Sequence, residues 1–480
     1  MGFIAALLSK NGTDVSESLI RMLRTASNAA GDGYGIATHD STEYHIATES
    51  ASSHGSDVLL GHKLIMIKPN DSPQPVNQHG YSLTFNGRLW SSQGASDLVE
   101  AADILGSVPE DGIRRLIDDY DGSFAITVVE EDNIICGRDP VGVVPLYIGE
   151  SASMLGVASN KKMLYGIGID PKPLPPGCLA VITKDGVQTR SIRTLSNPST
   201  RKVKIEEALK ELDALLLRAV EVRSIGFHSV SLGFSGGIDS SLLAYYLDRC
   251  GVKVDLICVG LAGSAFDEAE ESAESLDLPI RLESRSLKDV EESLTYVIES
   301  VEDPDPMKIG VALPVMWAGK SAIKHSNRIF YSGCGSDELF GGYFKYIKKY
   351  TEFGERVKDI MYKDVAASHD VNYERDYKVC SNIGVELRLP FADLGLINFG
   401  LALPVEYKFS RNGSERKLLL RELARSKGLS ECIVSRRKRA VQYSTGVNTA
   451  LGNLAKKEGI TLKEYLTNFF NRIKLEWHER

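Results

Sequence analysis

Two patterns of apolar residues divide the chain. Up to about Arg193 short runs of alternating apolar and polar residues dominate, as in SLTFNGRLW, GSFAITVVEEDNIICGRD, PLYIG and GCLAVITKDGVQTRSI, and they predict strands. Asn-Gly and Asp-Gly steps at Asn86, Asp121 and Asp185 supply turn signals among them. The polar stretch TLSNPSTRK reads as a linker. After it, Ile205, Ala208, Leu209, Leu212, Leu216, Ala219 and Val220 recur at helical spacing. Strand and helix patterns then alternate through VSLGF, SLLAYYLDRC, VDLICVGL, FDEAEESAESL, a helical stretch to Val301, and RIFYSG. That alternation predicts a parallel sheet with helices on its faces. Beyond Glu338 the pattern is helical, and it ends in one apolar stripe of Leu462, Tyr465, Leu466, Phe469, Phe470 and Ile473, expected to dock on the core.

Length supports this division, since 480 residues exceed what one core usually holds. Apolar residues make up 43% and charged residues 25%, the proportions of an ordinary globular protein. A net charge of −8 and a pI near 5.7 argue against nucleic acid or an anionic membrane as partner. No apolar stretch reaches the roughly 20 residues of a membrane helix, and MGFIAALLSKNG lacks the basic start of a signal peptide. Seven cysteines without a CxxC pair suit reduced thiols, so a cytoplasmic location is expected. The nine histidines form no HxxxH or HxxH pair that would suggest a zinc site.

The chemistry concentrates in SGGIDSS, which follows a predicted strand and opens a predicted helix. Glycines let backbone approach an anion, and a helix start presents unpaired N–H groups and the positive end of its dipole. Ser235, Ser240 and Ser241 add hydroxyl donors, whereas the carboxylate of Asp239 repels phosphate unless a cation lies between. Mg²⁺, bound by a few carboxylates and phosphate oxygens, meets that need. The plain alternative is a glycine turn with a capping side chain. A second predicted strand end, IFYSGCGSDELFGGY, repeats the pattern with Ser332, Gly333, Gly335, Ser336 and Asp337. Two such loops on neighbouring strands would face each other, and Asp239 and Asp337 would then share a metal.

These motifs, together with NYERDYKVCSNIGVELRLPFADLGLINFGLALP, RKLLLRELA and RRKRAVQYSTGV in the same order, resemble the asparagine synthetase family. The resemblance implies an ATP-pyrophosphatase (adenine nucleotide α-hydrolase-like) α/β domain with a helical C-terminal part over 204–480. It implies ATP and Mg²⁺, with aspartate, or a similar carboxylate, and ammonia as small-molecule substrates, and it is compatible with a homodimer. In that family the side-chain carboxylate of aspartate attacks the α-phosphate of ATP, and ammonia then displaces AMP. By this resemblance Ser235, Gly236, Gly237, Asp239 and Ser240 hold pyrophosphate, and Phe234, Val259, Ser332 and Gly333 border the nucleotide. Asp239 and Asp337 hold Mg²⁺. Lys438, with Arg439 as the alternative, neutralises charge at the reacting phosphate, although a basic run is usually solvated surface. Glu386 and Arg388 orient substrate or form a buried ion pair. Cys334 departs from the family, where a polar or acidic residue is usual; it is a catalytic candidate only with a tuned pKa, and otherwise a small filler.

Residues 1–195 resemble the class II glutaminase domain, an N-terminal-nucleophile αββα sandwich, through DGYGIA, FNGRLW, YDGSFAITVV and RDPVGVVPLYIG. Its nucleophile is a cysteine following the initiator methionine, a position held here by Gly2, which carries no nucleophile. The arginine that would hold the glutamine carboxylate is replaced by Leu64, beside Lys63. The glutamate that would hold its amine is replaced by Arg88. Asn86 and Gly87 retain an oxyanion-hole pattern, and Asp97 matches a further glutamine-binding residue. The domain is therefore expected to be inactive, and the chain to be an AMP-forming ligase using ammonia. The rival readings are a β-lactam-forming synthetase, a non-catalytic nucleotide-binding protein, and a tRNA-adenylating enzyme, the last disfavoured by the lack of a basic surface.

Overall fold

The structure is a computed structural model describing residues 1–26, 31–47, 55–90, 96–264, 266–410, 415–436 and 445–479. Two antiparallel sheets occupy its first part. One has seven strands in the order Pro171–Pro173, Tyr147–Glu150, Met154–Ala158, Gly2–Ser9, Val58–Leu64, Gly33–Ala37 and Thr42–His45. The other has six, running from Gly186–Ser191 through Cys178–Thr183, Ile134–Arg138, Gly122–Val129 and Tyr81–Leu89 to Val76–Gln78. Helix Ser16–Thr25 covers the first sheet, and helices Asp97–Leu105 and Pro109–Asp119 cover the second, so the layers run helix, sheet, sheet, helix. This layering explains why FIAALL carries no polar residue. Ile4, Ala6 and Leu8 belong to the core between the sheets, while Phe3, Ala5 and Leu7 pack in the core under the helix, so both faces of the strand are buried.

Asn86 and Gly87 make no turn. They lie inside the continuous strand Tyr81–Leu89, paired with Ala125 and Phe124, because the Asn86 side chain is recruited by a backbone group of another strand. The Asp185–Gly186 step does close a hairpin, between Cys178–Thr183 and Gly186–Ser191.

Helix Ile205–Ser224 buries Ala208, Leu212, Leu216, Ala219 and Val220, as its periodicity predicts. It leads into a five-stranded parallel sheet ordered Ile280–Arg285, Lys253–Leu261, Ser229–Gly233, Ile329–Tyr331 and Glu386–Arg388. The strand order reverses direction beside Ser229–Gly233, whose neighbour on one side follows it in the chain and on the other comes after two further crossovers. Ligands of open parallel sheets collect outside the carboxyl ends of the strands at such a switch point. Strand Glu386–Arg388 interrupts a region whose pattern predicts helices, and its alternate residues are both charged and both buried. All seven cysteines are free thiols. No helix among the described residues is long and apolar enough to cross a membrane.

The last helix, Leu462–Glu479, packs Leu466, Ile473 and Trp477 into a core shared with helices Leu287–Val301 and Pro306–Lys324. Trp477, fully buried, stacks on Tyr165 of the first part at 6.0 Å between ring centroids and 8° between planes. Trp477→Ala is expected to destabilise the protein by about 3–5 kcal/mol; chemical denaturation followed by circular dichroism checks this.

Candidate functional site

The sheet delivers both predicted loops to one place. Strands Ser229–Gly233 and Ile329–Tyr331 pair directly, Ser231 with Phe330 and Leu232 with Tyr331, so the loops that follow them lie side by side. In the first loop the Phe234 N–H donates to Ile257 O at 2.9 Å, which prolongs the ladder before the chain turns. The Phe234 side chain is buried in the core, so only its backbone borders the loop; Val259, on the next strand, is half-buried. Gly236 has φ +68°, and a Cβ there would collide with the Arg436 guanidinium and approach Glu268 O to 2.7 Å. Its carbonyl accepts from Ser272 Oγ at 3.1 Å and from Arg436 Nη1 at 2.9 Å. Gly237 caps helix Ile238–Arg249, Ser240 Oγ donates to Gly237 O at 3.1 Å, and Ser235 is exposed at the open end. The arrangement is an anion-accepting helix start.

The second loop closes on the first. A Cβ on Gly333 would stand 3.0 Å from Asp239 Cβ, so glycine allows this approach. Asp239, 8% exposed, accepts from Ser336 Oγ at 2.6 Å. Asp239 and Asp337 do converge on one cation, and that cation is the ammonium of Lys417. Its Nζ donates to Asp239 Oδ1 at 2.6 Å and lies 2.6 Å from Asp337 Oδ1. Lys417 is fully buried and adopts φ +60°, a left-handed conformation that strains a non-glycine residue by about 1–3 kcal/mol and collects at functional sites. Sequence reasoning missed it. Its motif, RKLLLRELA, is part of the resemblance, but a lysine beside an arginine before an apolar helix reads as a solvated helix start. Among the described residues no group of three or more His, Cys, Asp or Glu side chains is placed to hold a metal ion. Two carboxylates meeting one positive charge nevertheless fit Mg²⁺ in the manner that leaves its other positions to phosphate and water.

Cys334 sits half-buried at the rim. Desolvation, reinforced by Asp376, pushes its thiol well above the ordinary range and so favours the protonated form. Next to it Glu338, whose carboxyl burial and Asp337 push upward, accepts from Tyr343 Oη at 2.6 Å and Asn372 Nδ2 at 2.8 Å. Lys438 and Arg439 lie outside the described residues.

In the first part, the glutaminase-like positions gather around a small cavity. The Gly2 N–H donates to Asn86 Oδ1 at 3.0 Å, while Asn86 Nδ2 is buried with no hydrogen-bond partner among the described residues. A Cβ on Gly2 would overlap the His62 ring and the Lys63 carbonyl, so a cysteine does not fit. Leu64 is buried opposite Gly2. Gly87, at φ +131°, lines the pocket with Arg88, whose guanidinium fills it. Arg88 Nη1 donates to Asp71 Oδ1 at 2.7 Å and Asp97 Oδ2 at 2.9 Å, and Nη2 donates to Glu386 Oε2 at 2.7 Å. Asp97 also accepts the Leu89 N–H at 2.9 Å. The remaining cavity is about 10 Å³, room for about one water molecule. Burial opposes ionisation of Glu386, yet Arg388 and Arg88 outweigh it and hold its carboxyl at about 2. Glu386 and Arg388 thus form a buried ion pair, as one of the two sequence readings has it.

Residues 211–356 and 347–476 match the family model described as asparagine synthase. The chain belongs to the asparagine synthase family. Residues 62–166 match the glutamine amidotransferase domain model. A putative glutamine-hydrolysing asparagine synthetase of Methanocaldococcus jannaschii is 27% identical over 98% of this chain and 98% of its own length. A glutamine-hydrolysing asparagine synthetase of Lotus japonicus is 26% identical over 77% of this chain and 67% of its own. Among solved structures, the glutamine phosphoribosylpyrophosphate amidotransferase of B. subtilis is 16% identical, with a TM-score of 0.34 over 58% of this chain and 65% of that one. Family membership makes the protein a ligase of ATP-dependent amide synthesis.

The Lys417 contact has a measurable consequence. Lys417→Met leaves two neighbouring carboxylates without their ammonium and is expected to destabilise the protein by about 3–5 kcal/mol. Added Mg²⁺ should then raise the thermal midpoint of the variant more than that of the parent, because it replaces the missing charge. Differential scanning fluorimetry across a Mg²⁺ titration reads both effects.

Proposed function

We propose that the protein makes asparagine from aspartate, ATP and free ammonia, with residues 204–480 as the synthetase domain and residues 1–195 as a glutaminase-like domain without glutaminase chemistry. One juxtaposition carries this reading: two anion-accepting loops meet at the sheet's switch point with Asp239 and Asp337 on a shared cation, while Arg88 fills the pocket that glutamine would need.

The backbone N–H groups at the start of helix Ile238–Arg249, with the hydroxyls of Ser235 and Ser240, bind the β- and γ-phosphates. Ser332 and Gly333 lie against the nucleotide from the second loop. A side-chain carboxylate oxygen of aspartate forms a bond to the α-phosphorus, the bond from that phosphorus to the bridging oxygen breaks, and pyrophosphate leaves with the electron pair. Negative charge grows on the leaving group, so positive charge already held nearby lowers the barrier. Asp239 and Asp337 would hold Mg²⁺, which supplies such charge when bound. Lys417 provides an ammonium at the same place, and Lys438 is assigned to the reacting phosphate. The ammonia lone pair then bonds to the acyl carbon, AMP departs, and the nitrogen loses a proton to give the amide. With its thiol protonated, Cys334 serves as a small side chain beside the acyl group rather than as a base.

Asp239→Asn and Asp337→Asn should each lower ATP–pyrophosphate exchange by at least about 100-fold while leaving the circular dichroism spectrum unchanged. Near-normal exchange in either variant would remove the shared-cation site. A panel of acidic amino acids in the same assay separates asparagine formation from adenylation of a larger carboxylate.

The nitrogen source is tested by label. With ATP, Mg²⁺ and aspartate, ¹⁵N-ammonium should label the amide and amide-¹⁵N-glutamine should not. Gly2→Cys should leave this unchanged, since cysteine collides with His62 and the Lys63 carbonyl and glutamine still has no pocket. Transfer from glutamine by the purified protein would overturn the ammonia assignment.

A further inference from the structure

The arginine that blocks the glutamine pocket also reaches the synthetase sheet. Arg88 Nε donates to both Glu386 oxygens at 3.1 Å, and Nη2 donates to Oε2 at 2.7 Å. Glu386 opens the edge strand Glu386–Arg388, which is only three residues long and pairs along one side with Ile329–Tyr331. So short a strand has little ladder of its own, and its place depends on what grips its side chains. Much of the grip comes from the first part of the chain, two residues to two residues, with Phe227 of the second part adding a ring 5.7 Å from the Arg388 guanidinium. Arg88 holds Glu386, and Trp90, next but one along, lies under the Arg388 guanidinium, 4.9 Å from the ring centroid. The far end of this strand carries the consequence, because the Arg388 carbonyl accepts the N–H of Ser332 at 3.1 Å. Ser332 is the first residue of the second loop, whose next members approach Asp239.

We propose that Arg88 is a positioning residue for the nucleotide loop 332–337: the former glutamine pocket acts as an anchor that sets where this loop stands. The inference rests on the reading of that loop as an ATP-phosphate loop, and it accounts for a first domain kept in place without chemistry of its own. Position 88 cannot serve both uses. A glutamate there, facing Asp71, Asp97 and Glu386, would bring four carboxylates together, with only Arg388 beside Glu386 and the amino terminus beside Asp71 to offset them.

The test uses the full-length chain and three variants. In Arg88→Met, backbone amides of 332–337 should exchange with deuterium about tenfold faster than in the parent, while those of 235–241 keep their rates. The Michaelis constant for ATP in pyrophosphate exchange should rise about tenfold with kcat changed less than about twofold. Arg88→Lys keeps the charge but cannot fork to three carboxylates, and should fall between the two. Trp90→Phe keeps the ring and should behave as the parent. If Arg88→Met does not fold, Arg88→Lys carries the test by the same two measurements. Unchanged loop exchange and an unchanged Michaelis constant in a folded Arg88 variant would overturn the inference. A parent protein without pyrophosphate exchange would instead sink the ligase reading of this site, and faster loop exchange in the variants would still establish the anchor.

Discussion

One guanidinium, buried among three carboxylates from three segments, ties the antiparallel and parallel halves of this chain together. Arg88 is 5% exposed and is bonded to Asp71, Asp97 and Glu386, the last of them 298 residues away. Charges so far from water are stable only when their partners are in place, and removing one partner of a buried pair costs several kcal/mol. The contact therefore demands that both halves be folded and docked at once. A second buried set does the same elsewhere on the interface. Glu302 accepts the N–H groups of Lys161 and Lys162 at 2.9 and 2.8 Å and pairs with Lys378 at 2.6 Å, while Tyr147 donates to Glu374. Apolar packing continues between these sets, in a core that runs from Ile4 and Leu60 to Leu232 and Leu243.

The two candidate sites share a device and differ in how it can respond. In each, carboxylates that could serve a ligand are held by a cationic side chain of the chain itself. Arg88 is a planar fork with fixed acceptors on several sides, so its departure would take a partner from three carboxylates at once. Lys417 is a point charge on a flexible stem, and an ammonium between two carboxylates can give way to another cation or turn to a phosphate. Burial acts at Cys334 as well, where desolvation and Asp376 push the thiol upward and favour its protonated form.

Much of this protein is legible along the chain. The alternation of strand and helix patterns after residue 204 carries a parallel sheet, and SGGIDSS and SGCGSDE at two strand ends carry the proposed phosphate corner, because glycine, hydroxyl and carboxylate at a helix start are local chemistry. Gly2, Leu64 and Arg88 carry the proposal of a first domain without glutaminase chemistry for the same reason, since it rests on the identity of single residues. What local pattern could not show is which distant charge each of these residues meets. Asn86 and Gly87 look like a turn until the strand carrying Gly2 takes the asparagine oxygen. Glu386 and Arg388 look like a polar helical segment until Arg88 and Trp90 bury them. Lys417 looks like surface until the sheet's switch point sets two aspartates around it. Residue type and spacing determined where anions, metal and nucleophile could or could not be served; the pairing of buried charges across hundreds of residues was decided only by tertiary structure, because a charge has no defined partner until the fold removes it from water.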